Sequence, residues 1–292
     1  MEIHTAKLGE LQALMKKELQ GVYPSPELEA IIRGLFSHIT GLNASMMVIE
    51  KEKELSESDI YFLQRAARRL KKYEPLQYIT GTAYFRGIEF KVDPAVLIPR
   101  PETEELPEWM LEGLDRSSQL KILDIGTGSG CIAISLKKEL PASMIYAVDI
   151  SEEALQLAQQ NASDLDAEIF FMQIDILDRD SRSVLPEFDA IISNPPYVTP
   201  ADRLKMQRNV TDYEPGLALF VEEDDPLLFY REIIAFSKTH LADGGQLFLE
   251  CNESYATEVK ALLLKSSFRH AEVRKDMQGR ERMVMGERMK NM

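Results

Sequence analysis

Two short stretches of the chain carry residues whose types and spacing can do chemistry. The first is Gly126-Thr127-Gly128-Ser129-Gly130, which follows the apolar run LKILDI and precedes CIAISLKKEL. Glycine lets the backbone turn sharply and lets a ligand approach without a Cβ in the way, and a helix start offers unpaired amides. Cys131 stands where a third glycine would complete the dinucleotide fingerprint GxGxxG. Asp124, near the end of the run, would repel a pyrophosphate but tolerates or attracts a cation. A second run, MIYAVDI, contains Asp149, nineteen residues past Gly130. An acid there can accept both ribose hydroxyls of an adenosine. Beyond the third run stand Asp175, suited to an exocyclic amine, and Ile176, suited to one face of an adenine. Ribose and adenine without a pyrophosphate, beside a place for positive charge, describe S-adenosylmethionine, with S-adenosylhomocysteine as product. The plainer alternative is that Asp149 and Asp175 only cap helices.

The second stretch is Asn194-Pro195-Pro196-Tyr197, at the end of the run FDAIIS. A planar NH₂ on a π system, whether amide or aminated base, has a delocalised lone pair and accepts a methyl group only when held pyramidal. The Asn194 side-chain oxygen and the Pro195 carbonyl can each accept one N–H, aiming the remaining lobe at a sulfonium methyl. Proline fixes φ near −65°, so that carbonyl needs no reorganisation during transfer. Tyr197 can stack on the planar group and exclude water. The chemistry is then in-line displacement by positioning, with no nucleophilic side chain and no metal. Plain loop punctuation by two prolines is the competing account.

Positioning such residues needs a scaffold, and the alternation of short apolar runs with helical stretches from about residue 103 supplies one. LKILDI, MIYAVDI, EIFFMQ, FDAIIS and GQLFLEC read as strands, with helices such as Ser151–Asn161 and Pro226–Leu241 between them. This implies an α/β, Rossmann-like sheet, mostly parallel, with helices on both faces. Ligands in such sheets sit beyond the carboxyl ends of the strands at the topological switch point. Residues 1–75 read as helices only. Leu8, Leu11, Met15 and Leu19 form one stripe, Ser25 can cap a second helix with Pro26 at its first position, and Ser56 opens another through Ile60, Leu63, Ala67 and Leu70. These make a small helical domain, 1–75. Residues 76–102 form a linker with a hairpin about Gly87 and a proline-stiffened segment, and residues 103–292 form the cofactor-binding domain. Glu222-Glu223-Asp224-Asp225 reads as a solvated loop before the helix at Pro226.

The 292 residues hold 34 basic and 48 acidic side chains, a net charge of −14. Such a field disfavours counterion-driven binding to nucleic acid. Two cysteines far apart exclude a disulfide scaffold and fit a reducing cytoplasm, and no Cys/His cluster suggests zinc. No stretch reaches the ~18 apolar residues that span a bilayer. A soluble cytoplasmic protein, by default monomeric, is expected.

The sequence resembles the class I S-adenosylmethionine-dependent methyltransferases. It is more closely similar to the HemK/PrmC-type enzymes that methylate the glutamine N5 of the Gly-Gly-Gln motif in peptide chain release factors. The resemblance rests on Pro75–Gly81 with Phe85, Ile98-Pro99-Arg100-Pro101-Glu102-Thr103-Glu104, the glycine loop, Asp149, Asn194–Tyr197, Glu214-Pro215 with Ala218-Leu219, and Asp276, Gly279 and Arg282. It implies that the glycine loop and Asp149 hold the cofactor, that Asn194–Tyr197 hold the target glutamine, and that the helical domain docks the release factor. Arg100 and Thr103 would touch the cofactor's methionine end or the incoming loop, or simply fix the linker. Ile176 stands where many relatives have an aromatic. Two other readings remain open here: amino-methylation of adenine or guanine in nucleic acid, and a cofactor-binding module without activity.

Overall fold

The computed structural model describes residues 6–114, 116–204, 206–221 and 225–290; most of the acidic loop, 222–224, lies outside them. The chain divides into a helical unit, residues up to Gly81 together with 207–213, and a second unit holding everything else.

In the helical unit, apolar side chains recur at three- and four-residue spacing, so each helix has one face to bury. In α1 (Leu8–Leu19) that face is Leu8, Leu11, Met15 and Leu19, all fully buried. In α2 (Ser25–Thr40) it includes Ile32, Leu35 and Phe36. Ser25 makes no cap, contrary to expectation: it is already helical, and Pro24 flanks the start with Pro26 in the first turn. After α3 (Ala44–Ile49), α4 (Glu57–Leu70) begins with a reciprocal capping box between Ser56 and Asp59. Leu63, Ala67 and Leu70 of α4 and Ile79 of the short α5 (Leu76–Thr80) complete one core with α1 and α2.

The second unit opens with the hairpin β1 (Thr82–Phe85) and β2 (Ile88–Lys91), turning through Arg86 and Gly87 at positive φ. A 3₁₀ turn over Pro101–Glu104 leads into α6 (Glu105–Glu112). Strand and helix then alternate: β3 (Lys121–Ile125), α7 (Cys131–Glu139), β4 (Met144–Asp149), α8 (Glu152–Asp164), β5 (Ile169–Gln173), α9 (Arg179–Arg182) and β6 (Phe188–Ser193). One-turn helices α10 (Pro200–Arg203), α11 (Arg208–Thr211, in the helical unit) and α12 (Gly216–Leu219) precede α13 (Leu228–His240), β7 (Leu241–Glu250), α14 (Ala256–Leu264), β8 (Phe268–Lys275) and β9 (Glu281–Arg288).

These strands form a seven-stranded sheet in the order β5-β4-β3-β6-β7-β9-β8, parallel from β5 to β7, with β9 antiparallel to both β7 and β8. Alternate residues face opposite layers. Ile122, Ala190, Ile192 and Phe248 pack with α6 and α7; Leu123, Ile125, Ile191 and Leu247 pack with α13 and α14. Each fully buried aliphatic side chain there contributes roughly 1.5–3 kcal/mol. Chain order reverses between β3 and β6, which opens a crevice beyond their carboxyl ends. The Ser193 hydroxyl donates to the Ile125 carbonyl (2.8 Å) and ties the two strand ends together at that point.

Candidate active site

The loop after β3 is fastened to β4 before it can reach a ligand. The Gly126 and Thr127 amides both donate to the Val148 carbonyl, at 2.8 and 3.0 Å. Gly128 and Gly130 have φ of +54° and +80°, in the left-handed region that costs other residues about 1–2 kcal/mol. A Cβ on Gly130 would also meet Ile134 Cδ1 at 3.0 Å and Ala158 Cβ at 3.2 Å, whereas one on Gly128 meets nothing within 4 Å. From α8, buried Asn161 donates to the Ser129 carbonyl (2.9 Å) and bonds the Lys91 backbone, holding loop and hairpin together.

Asp149, last in β4, accepts the Gly128 amide on Oδ2 (2.9 Å) and the Ser151 amide on Oδ1 (3.0 Å). Burial raises its pKa, opposed by those amides. One lone pair per oxygen remains for a pair of hydroxyls. Asp175 spends Oδ1 on the Leu177 amide (2.8 Å), which leaves Oδ2 available. Asp124 is fully buried below the loop, and Thr127 donates to its Oδ2 (2.7 Å). Burial pushes its carboxyl up to about 7.

Above these residues lies a cavity of about 260 Å³, lined by Gly126, Gly128, Asp149, Asp175, Ile176, Asn194, Pro195 and Pro196 among others. Among the described residues no Lys, Arg or His lines it. Two carboxylates facing a cavity without a basic side chain suit a nucleoside with positive charge and do not suit a pyrophosphate. The residues therefore fit S-adenosylmethionine.

The structure brings together most of the residues singled out from sequence and separates others. Thr127, Ser129, Gly130 and Asp124 do not line the cavity. Arg100 donates to buried Glu214 (2.5 Å), which also accepts the Ile98 amide, so it anchors the segment before α6. Thr103 is buried, with Asn194 Nδ2 donating to its Oγ1 (3.2 Å) and its own hydroxyl donating to Glu250 Oε2 (2.7 Å). Tyr197 donates to Glu250 Oε1 (3.0 Å) and does not line the cavity. Sequence reasoning gave no role to Glu250 or to the cavity-lining Leu97, Leu217 and Phe229. An acid ending an apolar run, the same signal as Asp149, marks Glu250.

Comparison with known proteins gives the family. Residues 10–81 match the PrmC N-terminal domain family and residues 104–211 the methyltransferase small domain family. A release factor glutamine methyltransferase of Bacteroides thetaiotaomicron is 40% identical over 281 residues, covering 96% of this chain and 100% of that protein. The chain belongs to the release factor glutamine methyltransferase family. Another protein so named, from Flavobacterium psychrophilum, is 41% identical over 91% of this chain and 94% of its own. The crystal structure of a methyltransferase from Pyrococcus furiosus shares the fold, with TM-score 0.52 and 18% identity over 77% of this chain and 98% of its own. As in class I methyltransferases, the sheet is mostly parallel, with the cavity at the reversal of strand order. Among the described residues no helix is long and apolar enough to cross a membrane, and no group of His, Cys, Asp and Glu could hold a metal ion.

Proposed function

We propose that the chain transfers a methyl group from S-adenosylmethionine to the side-chain amide nitrogen of the glutamine in the Gly-Gly-Gln motif of peptide chain release factors, in the cytoplasm. Bound in the cavity, the cofactor supplies an electrophilic methyl on a sulfonium. Asp149 takes the ribose hydroxyls, Asp175 and Ile176 the adenine, and the glycine loop leaves room for the amino-acid end. Asn194 Oδ1 and the Pro195 carbonyl accept the two amide protons of the substrate and hold its nitrogen with a lobe toward the methyl. The nitrogen would gain the methyl as the methyl–sulfur bond breaks, the sulfonium leaving as the neutral thioether S-adenosylhomocysteine, and would release one proton to solvent. The helical unit docks the protein substrate.

What supports this reading most is Asn194-Pro195 at the cavity wall next to a carboxylate-lined, base-free pocket. Full-length similarity to proteins named for release factors and the charge of −14 weigh against a nucleic-acid substrate. Purified enzyme given methyl-labelled cofactor with release factor, tRNA, rRNA and DNA side by side tests the choice. Label is expected on the release factor alone, at the glutamine; label on RNA or DNA with none on protein overturns it.

A further inference from the structure

A carboxamide is nearly symmetric in shape, and a half-turn about Cβ–Cγ exchanges an acceptor for a donor. If Asn194 is to accept a substrate N–H, Oδ1 must face the cavity and Nδ2 must face away. Something behind the residue has to settle that choice.

Two chains of hydrogen bonds end on one carboxylate. Asn194 Nδ2 donates to Thr103 Oγ1 (3.2 Å), and Thr103 donates to Glu250 Oε2 (2.7 Å). On the other side Arg282 donates to the Tyr197 hydroxyl (3.4 Å), which donates to Glu250 Oε1 (3.0 Å). Glu250 is 2% exposed and sits one residue past Leu249, the strand partner of Ser193, so it lies level with Asn194. An ionised carboxylate only accepts. Thr103 has one proton, and the carboxylate claims it. Only the lone pairs of Thr103 remain for Asn194, so the amide must turn its NH₂ inward and its oxygen toward the cavity. Arg282, itself anchored on Asp276 Oδ2 (3.0 Å), supplies a positive charge that favours the ionised form of the buried acid.

We infer that Glu250, acting through Thr103, is the positioning residue that sets the orientation of the Asn194 carboxamide and thereby presents an acceptor to the substrate amide. The inference rests on the proposed function for its consequence in turnover, and on the hydrogen bonds alone for the orientation itself. Burial raises the Glu250 pKa, opposed by Thr103, Tyr197 and Arg282, with Glu102 adding to the rise. The titratable and charged groups facing it are Glu102, Tyr197, Tyr230, Cys251 and Arg282. Once protonated, Glu250 has one acceptor site fewer for two hydroxyls. Thr103 can then donate toward Asn194, and the amide flips.

The test uses Thr103→Val, nearly isosteric, and Thr103→Ser, which keeps the hydroxyl. In Thr103→Val, kcat is expected to fall roughly 10- to 100-fold, the range set by leaving a buried donor unpaired. Cofactor affinity and KM for release factor stay within about twofold, as expected where the lost hydrogen bond is relayed and touches neither ligand; Thr103→Ser recovers most of kcat. The wild-type kcat–pH profile is expected to fall on its acid side, and Glu250→Gln is expected to be slower and to lack that fall. Independently of turnover, ¹⁵N-asparagine labelling reads the Asn194 side-chain amide, whose protons are expected to exchange slowly in wild type and Thr103→Ser and fast in Thr103→Val. Unchanged kcat and unchanged amide exchange in Thr103→Val overturn the inference. Wild-type enzyme that methylates no glutamine overturns the functional reading instead, and the amide exchange still decides the orientation.

Discussion

An amide nitrogen becomes nucleophilic only when its two protons are held out of the plane, so the weight of the chemistry falls on two acceptors. Asn194→Ala removes one while leaving the cofactor cradle of Gly128, Asp149 and Asp175 in place. Losing one preorganised group of this kind costs about 10²–10³ in kcat. Methyl transfer is therefore expected to fall by that factor while calorimetry shows cofactor affinity within about twofold of wild type. Near-normal turnover of purified Asn194→Ala would falsify the mechanism. Asp124 makes a second residue-scale prediction, about stability. Its folded pKa is raised to about 7 by burial, with the Thr127 hydroxyl pulling against the rise and the Asp149 charge adding to it. Between the ordinary carboxylate value and about 7 the folded chain keeps a proton that the unfolded chain has released. Stability from this group consequently falls as pH rises through that window. Urea midpoints measured from pH 4.5 to 7.5, an interval of about 3 units, are expected to decline more steeply for wild type than for Asp124→Asn. Parallel declines would show that Asp124 does not titrate there.

At the scale of elements, the glycine loop separates backbone cost from ligand cost. Both Gly128 and Gly130 sit at positive φ, so alanine at either costs about 1–2 kcal/mol of strain. Gly130→Ala also pushes its methyl against Ile134 and Ala158, where α7 and α8 pack, and is expected to lose more stability in urea unfolding. Gly128→Ala meets no protein atom but intrudes on the cavity wall, so weakened cofactor binding with the smaller stability loss is expected. The opposite ranking in either measurement would mean that the loop relaxes. These elements were legible in the sequence for a physical reason. Strands of a parallel sheet are buried on both faces and read as unbroken apolar runs, so FDAIIS coincides with β6 and KILDI with β3. The antiparallel pair β8 and β9 escaped because FRHAEVRK mixes exposed charges with buried Phe268 and Ala271, and the buried run of ERMVMGER is only the four residues from Met283 to Gly286, flanked by charge. Asp149 and Asn194 were legible because the first ends its strand and the second follows its strand directly. The Thr103–Glu250 bond was not, since its partners are 147 residues apart and no local periodicity links them.

For the whole molecule, the charge of −14 decides how a protein substrate arrives rather than which atom is methylated. A release factor works on the ribosome, and whatever basic surface it turns to RNA would also meet an acidic enzyme favourably. An acidic enzyme then draws it in over distances set by screening, about 30 Å at 0.01 M salt and about 8 Å at 0.15 M. Electrostatic steering of this kind raises association rates by 10-fold or more and fades with ionic strength. The cavity itself presents Asp149, Asp175 and Asn194 to small groups at close range, where screening changes little. Raising salt from about 0.01 to 0.15 M is therefore expected to lower kcat/KM for intact release factor about 10-fold. A short uncharged peptide carrying the same glutamine has no charged surface to steer and is expected to change less than about twofold. Initial rates on the two substrates across the salt series decide the matter. Equal salt sensitivity would place the electrostatics at the reacting amide, and insensitivity of both would leave the acidic surface with no part in recognition.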